Sequence, residues 1–527
     1  MSKFNTGKVK TAVHSPIVTA TTPTIRTFNG APAYERDARS ELFLLAVSNM
    51  VGEQTFYEKA DNRDARFEGL VRTVAVSDPQ WTIDFFTWLR SEGNMRSASL
   101  VGALEAAKAM VAAKLPGSRQ LVAAVLQRGD EPGEAVAYWT KTHGRAMPKP
   151  IKRGIADAAA RLYTQRSLLK YDTASHAVRF ADVIQLTHPS PQTPDQSALF
   201  KLAMARRLGI EPDVPVEGLR LASNQVQLRE RLKAEPSAVP TAEDLSKAGM
   251  TWEDTLSLLG SKVNKATLWE AQIPSMGYMA LLRNLRNFDE AGISEASAQL
   301  VINKLQDPQE VARSRQFPFR FYSAYKAAGG SLRWVYALEK ALTASLANVP
   351  VLSGRTLVLV DQSPSMFPGY YYSGQQHNAT ITNADLAKLF GSAVALRAND
   401  ATLIGYGNTS YPVDFRKGEA VLRVMEKFSM NDGTDTFAAA AKHFNRHNRV
   451  VIVTDEQTSY GRVRSIDEVV PKDVPVYTWN IGGYKPGAIA SGTGTRHTFG
   501  GLVDASFRLI PLLESGRDGH WPWMSVD

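Results

Sequence analysis

The chain has 527 residues, 44% apolar and 21% charged, with no cysteine and a formal net charge of +9. A single hydrophobic core stops growing at roughly 250–300 residues, so several domains are expected. The missing cysteines exclude a disulfide scaffold, a zinc–cysteine site and a thiol nucleophile. No apolar run reaches membrane-spanning length, and the opening MSKFNTGKVKTAVHSPIV has no signal-peptide core, so a cytoplasmic protein is expected.

Residues 351–527 hold 17 basic and 17 acidic side chains, so the whole excess of +9 lies in residues 1–350. This asymmetry points to a nucleic-acid partner for the first two-thirds, or to a somewhat basic solvated surface. Residues 1–33, rich in Thr, Ser and Pro and without periodicity, read as a flexible basic tail. From Tyr34 the pattern is helical: ARSELFLLAVSNMV places Leu42, Leu45, Ala46 and Met50 on one stripe. The segments PQWTIDFFTWLRSEG, SASLVGALEAAKAMVAAK, GSRQLVAAVLQRG and PGEAVAYWTKT follow, and helical patterns continue to SLRWVYALEKALTASLANVP. Segments of this length with almost no strand signal predict an all-α array, stacked because one helix pair cannot bury its own apolar face. HPSPQTPDQ and EPSAVPTAED read as inter-helix loops, with Thr241 and Asp244 spaced as a capping box for the next helix. The tripeptide Arg128–Gly129–Asp130 reads as a helix start and not as an adhesion motif.

Within the array, Arg145, Lys149, Lys152 and Arg153 of RAMPKPIKRG cluster where Pro150 opens a helix. Cations there oppose the helix macrodipole at ~0.3–1 kcal/mol each, a cost that phosphate oxygens would offset. The plainer alternative is that Asp157 pairs with Arg153 and Arg161 at helical spacing. Arg166 and Lys170 extend the basic face. In ALLRNLRNF, Leu281, Leu282, Leu285 and Phe288 form the buried stripe, leaving Arg283, Arg286 and Asn287 to face solvent or RNA.

The pattern switches near Ser353. RTLVLVD, TLIGYG, RVVIVTD and VPVYTWNIGG are short strands; ADLAKLFGSAVALRA, TFAAAAKHFNRH and SFRLIPLLESG are helices; SYPVDF is a hairpin partner at the sheet edge. This alternation predicts a doubly wound α/β domain. Two strands end in an acid, Asp361 and Asp455, and in such sheets ligands bind beyond the strands' carboxyl ends. Ser363 and Ser365 follow at alternate positions, and NDGTDTF supplies Thr434. These are hard oxygen donors with little formal charge, a set suited to Mg²⁺. An aspartyl-phosphate enzyme would have a second Asp where Ser363 stands. SGTGTRHTFGG lacks the lysine of a P-loop and reads as a glycine-rich loop. The bland reading of both acids is as helix caps.

DQSPSM, GTDTF and VIVTDEQT together resemble the metal-ion-dependent adhesion site (MIDAS) of a von Willebrand factor A domain. The resemblance implies Asp361, Ser363, Ser365, Thr434 and Asp455 as metal ligands, and a site that binds a partner instead of catalysing. Pro364 departs from the glycine common there, and Phe367–Asn383 is an insertion with three successive tyrosines. A helical array followed by such a domain resembles the Ro autoantigen family, whose array is the TROVE module. NGAPAYERDARSELFLLAVSNMVGEQTFYE, WLRSEGNMRSASLVGAL, MPKPIKRGIADAAARLY, MGYMALLRNLRNFDEAGIS and RQFPFRFYSAY are similar to its blocks.

The resemblance implies a multidomain chain: a HEAT-like helical-repeat ring over residues 34–352, closed by an A domain over 353–527. It further implies a monomeric, non-enzymatic protein of RNA quality control. Such a protein binds single-stranded 3′ ends of misfolded RNA and Y-like small RNA, with an exoribonuclease such as polynucleotide phosphorylase as a partner. His188 resembles a family histidine near the Y RNA surface. A metal-dependent protein-binding scaffold that uses the A-domain site without RNA is the alternative.

Overall fold

The computed structural model describes residues 14–48, 55–210, 216–235, 239–260, 263–314, 316, 318–328, 331–346, 349, 351–367, 381–501, 510–515 and 518–524. Most of the tyrosine-bearing insertion after Phe367 and the first 13 residues lie outside them. The chain divides into two compact units: Val71–Gln316 with Ala324–Ala341, and Met1–Leu70 with Phe317–Ser323 and Leu342–Asp527.

The first unit is helical, as the 3.6-residue periodicity requires. Pro79–Ser91, Arg96–Ala112, Ser118–Val125 and Lys149–Leu162 pack in succession, each covering the apolar face of the one before. One core runs from Leu100 and Leu104 through Trp139, Ile151 and Tyr163 to Phe200. Tyr163 stacks on Phe180 in its centre at 3.8 Å. A second core joins Leu228, Leu245, Met250 and Leu268. Thr241 and Asp244 do form the expected capping box, opening Ala242–Ala248. Asp130 stands at the N-cap of Glu131–His143, where the adhesion-like tripeptide reads as a helix start.

The second unit holds a six-stranded sheet in the order β5-β4-β3-β6-β7-β8. Numbered after the short N-terminal pair β1 (Ile25–Arg26) and β2 (Pro32–Ala33), the strands are β3 Leu352–Asp361, β4 Ala398–Tyr406, β5 Ser410–Pro412, β6 Arg449–Thr454, β7 Val476–Asn480 and β8 Arg496–Gly500. Only β5 runs antiparallel, as the edge partner of β4. The strand order reverses at β3, which pairs with β4 on one side and β6 on the other. That reversal opens a crevice at the carboxyl ends of β3 and β6.

Three expectations change. Residues 14–33 are not a loose tail. Ser15 and Thr19 donate backbone hydrogen bonds to Gly492 and Ser491, Thr27 Oγ1 donates to Thr458 O at 2.8 Å, and Ile17 and Ala33 are buried. Lacking periodicity, the segment gains order by pairing its backbone with sheet-edge loops, which leaves no mark on composition. Second, the glycine-rich stretch Ser491–Gly501 contains β8, whose Arg496, His497 and Thr498 are buried polar residues that a hydropathy reading misses. Third, Ala38–Ser48 is buried nearly all round from Ser40 to Val47, without the predicted single stripe. Leu44 packs on β8, where a Cβ at Gly500 would come within 2.4 Å of it, and Phe43 meets Trp521.

Candidate cation site and nucleic-acid interface

Asp361 ends β3 and Asp455 directly follows β6, so adjacent parallel strands deliver two carboxylates to the same crevice. Asp361 Oδ1 accepts from Ser363 N at 2.9 Å, and Oδ2 from Thr454 Oγ1 at 2.6 Å. Asp455 Oδ1 accepts from Gln457 N at 3.0 Å, while its Oδ2 is buried without a hydrogen-bond partner. Pro364 occupies the first position of a 3₁₀ turn, Pro364–Met366, where its missing N–H costs nothing. The turn leaves the Ser363 and Ser365 hydroxyls 3.2 Å apart, so the proline does not scatter the two serines.

Thr434 sits in a loop tied down at both ends of the site. Asn431 N donates to Gln362 O, and Ser459 N donates to Thr434 O. Gly433 makes the loop possible: its φ is +57°, and a Cβ there would stand 2.0 Å from Asn408. All five predicted ligands are at most 2% exposed.

Burial raises the pKa of both carboxyls. Asp455 is pushed up to about 7 by burial and then by the charge of Asp361; Asp361 is raised by burial against the hydrogen bonds from Ser363 and Thr454. Among the described residues neither acid has an ion-pair partner. Two buried carboxyls side by side, one with an orphaned oxygen, are relieved by a proton or by a cationic counter-charge. Two carboxylates with three hydroxyls fit a hard, oxygen-seeking divalent cation.

The predicted basic residues separate into groups. Arg145, Lys149 and Arg153 are exposed and Lys152 half-buried around the start of Lys149–Leu162, whose first turn carries no acid. None of these four side chains has a protein partner among the described residues. The expected pairing of Asp157 with Arg153 or Arg161 does not form. Asp157 instead binds Arg119 of the neighbouring helix at 2.6 Å. Arg161 Nη2 donates to Ala123 O and Leu126 O, finishing the end of Ser118–Val125. Arg286 pairs with Glu290 at 2.7 Å on an exposed face. His188, with φ +51°, is the exposed C-cap of Phe180–Thr187.

Arg166, Lys170 and Arg283 converge. With Arg128 and Arg313 they line a cleft of about 1050 Å³ within the helical unit, whose wall also includes Trp252. Arg128 is held by Asp130 and Arg313 by Glu310, whereas Arg166 and Arg283 have no protein partner among the described residues. Sequence reasoning passed over Arg128, Arg313 and Trp252, because no local pattern links residues 128, 252 and 313.

A model of the TROVE domain matches residues 227–333. Over 99 residues the chain is 42% identical to telomerase protein component 1 of Mus musculus and of Rattus norvegicus, covering 17% of this chain. The match spans only 4% of the length of those curated relatives. The crystal structure of the Deinococcus radiodurans RO (RSR) protein superposes with a TM-score of 0.58 at 19% identity, over 88% of this chain and 97% of that one. Fold and matched segment define the class: helical repeats accompanied by a six-stranded α/β domain, with a segment matching the TROVE domain within the helical part. The chain is thus similar in fold to the Deinococcus radiodurans RO (RSR) protein, and its segment 227–333 is similar to the TROVE domain.

Proposed function

We propose that the chain is a non-catalytic RNA-binding protein that captures single-stranded 3′ ends of misfolded RNA and Y-like small RNA in cytoplasmic RNA quality control. The cleft lined by Arg166, Lys170, Arg283 and Trp252 carries this reading. Unpaired guanidinium groups neutralise phosphates without reading sequence, and an indole offers a stacking face to any base. A single-stranded end is the form of RNA that presents both phosphate and unstacked base to such a cleft. The partnerless cations at Arg145, Lys149, Lys152 and Arg153 supply a second phosphate-binding surface on the same unit.

In this reading Mg²⁺ occupies the Asp361–Asp455 site as a structural or docking ion. An exoribonuclease such as polynucleotide phosphorylase is the partner that receives the RNA, and the protein acts as a monomer. Fluorescence anisotropy with a hairpin bearing a single-stranded 3′ tail, against a blunt hairpin of equal length, tests the proposal. The tailed RNA should bind at sub-micromolar Kd with a steep salt dependence, and charge reversal at Lys149, Lys152 and Arg153 should weaken it. Equal binding of the two RNAs would remove end recognition.

A further inference from the structure

A cation site that docks an outside carboxylate needs an open face. Here the face is covered from within the same unit. The segment Thr27–Asn29 lies along the chain just beyond Asp455. Phe28 N donates to Gln457 Oε1 at 3.0 Å, and Asn29 Nδ2 donates to Gln457 O at 2.6 Å. Tyr57 then closes over it, its hydroxyl donating to Asn29 Oδ1 at 3.1 Å. Its ring stacks on Phe28 at 4.9 Å, 4° from parallel, and meets the edge of buried Tyr484 at 5.4 Å. With its proton committed to Asn29, the phenol oxygen is left as an acceptor within hydrogen-bonding reach of the Ser365 side chain.

From these contacts we infer that Tyr57, positioned by Asn29 and Phe28, is the internal oxygen that closes the cation site, so that a bound divalent cation fastens the N-terminal segment to the sheet edge and excludes an external carboxylate. The inference rests on the reading that the Asp361–Asp455 site takes a divalent cation. It differs from a docking role because the hydroxyl donors Ser363, Ser365 and Thr434 are all buried under chain-internal cover. It assigns the N-terminal segment a purpose that its composition does not suggest: the segment is the lid of the site.

The experiment compares full-length wild type with Tyr57→Phe and Tyr57→Ala, using MgCl₂ as the probe in isothermal titration calorimetry. Hydrogen exchange of residues 14–33 and 55–58 is followed with and without Mg²⁺. Tyr57→Phe keeps the stacked ring and removes the oxygen. It should weaken Mg²⁺ about tenfold, the size expected for a lost supporting oxygen at a metal site. In wild type, Mg²⁺ should slow exchange at Phe28 and Asn29 by roughly tenfold or more, since an ion that binds only the closed form stabilises it. Tyr57→Ala should open the face, so that added acetate tightens Mg²⁺ binding in this variant and not in wild type. If wild type binds Mg²⁺ but Tyr57→Phe binds it equally and exchange does not change, the closure is wrong while the cation site stands. If wild type binds no Mg²⁺, the cation reading itself fails and the closure with it.

Discussion

The cation site and the basic cleft handle charge in opposite ways. Around Asp361 and Asp455, like charges are buried on adjacent strands of one sheet. Around Arg166, Lys170 and Arg283 the charges are exposed and arrive from helices more than a hundred residues apart. Burial removes the screening that makes surface charges cheap, so like charges in the first region cost stability unless a counter-charge offsets them. Exposure leaves the second region with attraction that reaches a polyanion and fades with salt. Substitutions in the first should therefore register on unfolding, and substitutions in the second on RNA affinity alone.

The largest effect is expected where a buried charge loses its partner. Arg36 and Glu456 form an ion pair with both side chains fully buried, and Arg36 Nη1 also donates to Tyr484 O at 2.8 Å. Arg36→Met leaves the Glu456 carboxylate unpaired beside Asp455 and should cost about 3–5 kcal/mol in urea unfolding. A cost near zero would mean that the N-terminal segment contributes nothing to this unit.

A pH-dependent effect of similar size comes from His497. Burial, then the positive charges of Arg496 and His14, hold its pKa down to about 4 against an ordinary 6.5, while the Gly494 carbonyl opposes them. Nδ1 shares a hydrogen bond with Ser15 Oγ at 3.0 Å, and Nε2 lies 3.1 Å from Gly494 O, an arrangement that suits the neutral ring. The unfolded imidazole takes a proton below pH 6.5 that the folded one refuses. The stability is therefore intact above pH 6.5 and is lost as pH falls toward 4. Between pH 7.5 and 4.5, wild type should lose about 2–3 kcal/mol more than His497→Gln in denaturant midpoints.

Next in size is the ion itself. Saturating Mg²⁺ at a hundred times its Kd should stabilise wild type by about 2.7 kcal/mol. Asp455→Asn removes a buried like charge and the orphaned oxygen together. It should melt higher than wild type without Mg²⁺ and show no Mg²⁺-dependent rise in Tm. A variant that still responds to Mg²⁺ would place the ion elsewhere.

The same contrast explains what could be read from the residues alone. The clustering of acids and hydroxyls was legible because a strand end fixes direction: Asp361, Ser363 and Ser365 alternate within five residues, and the second acid repeats the strand-plus-Asp pattern at β6. The four strands with apolar runs were legible for the same reason. β8 was not, because Thr498 is buried and Arg496 and His497 are buried polar groups satisfied by tertiary partners such as Asp467 and Ser15. Tyr57 and Asn29 were not, because they lie more than 300 residues before the acids they cover and their segments have no period. In the helical unit the helices and the Thr241–Asp244 cap were legible from spacing. The choice among exposed cations was not: helical periodicity says which face Arg283 and Arg286 occupy, but only packing shows that Arg283 turns into the cleft while Arg286 is held by Glu290.

That last pair gives the smallest and most selective prediction. Arg283 and Arg286 share one helix, one exposed face and one charge, so helix propensity and net charge change equally when either is reversed. Arg283→Glu should weaken a 3′-tailed RNA several-fold and lower the slope of log Kd against log salt by about 1, the signature of one lost phosphate contact. Arg286→Glu faces Glu290 outside the cleft and should leave that slope unchanged. Thermal midpoints of the two variants should differ only slightly, with Arg286→Glu the lower, because it exchanges the exposed pair with Glu290 for a like-charge contact of about 0.2–0.5 kcal/mol. If both variants lose affinity alike, RNA is held by the diffuse field of the helical unit; if only Arg283→Glu does, the cleft itself holds the strand.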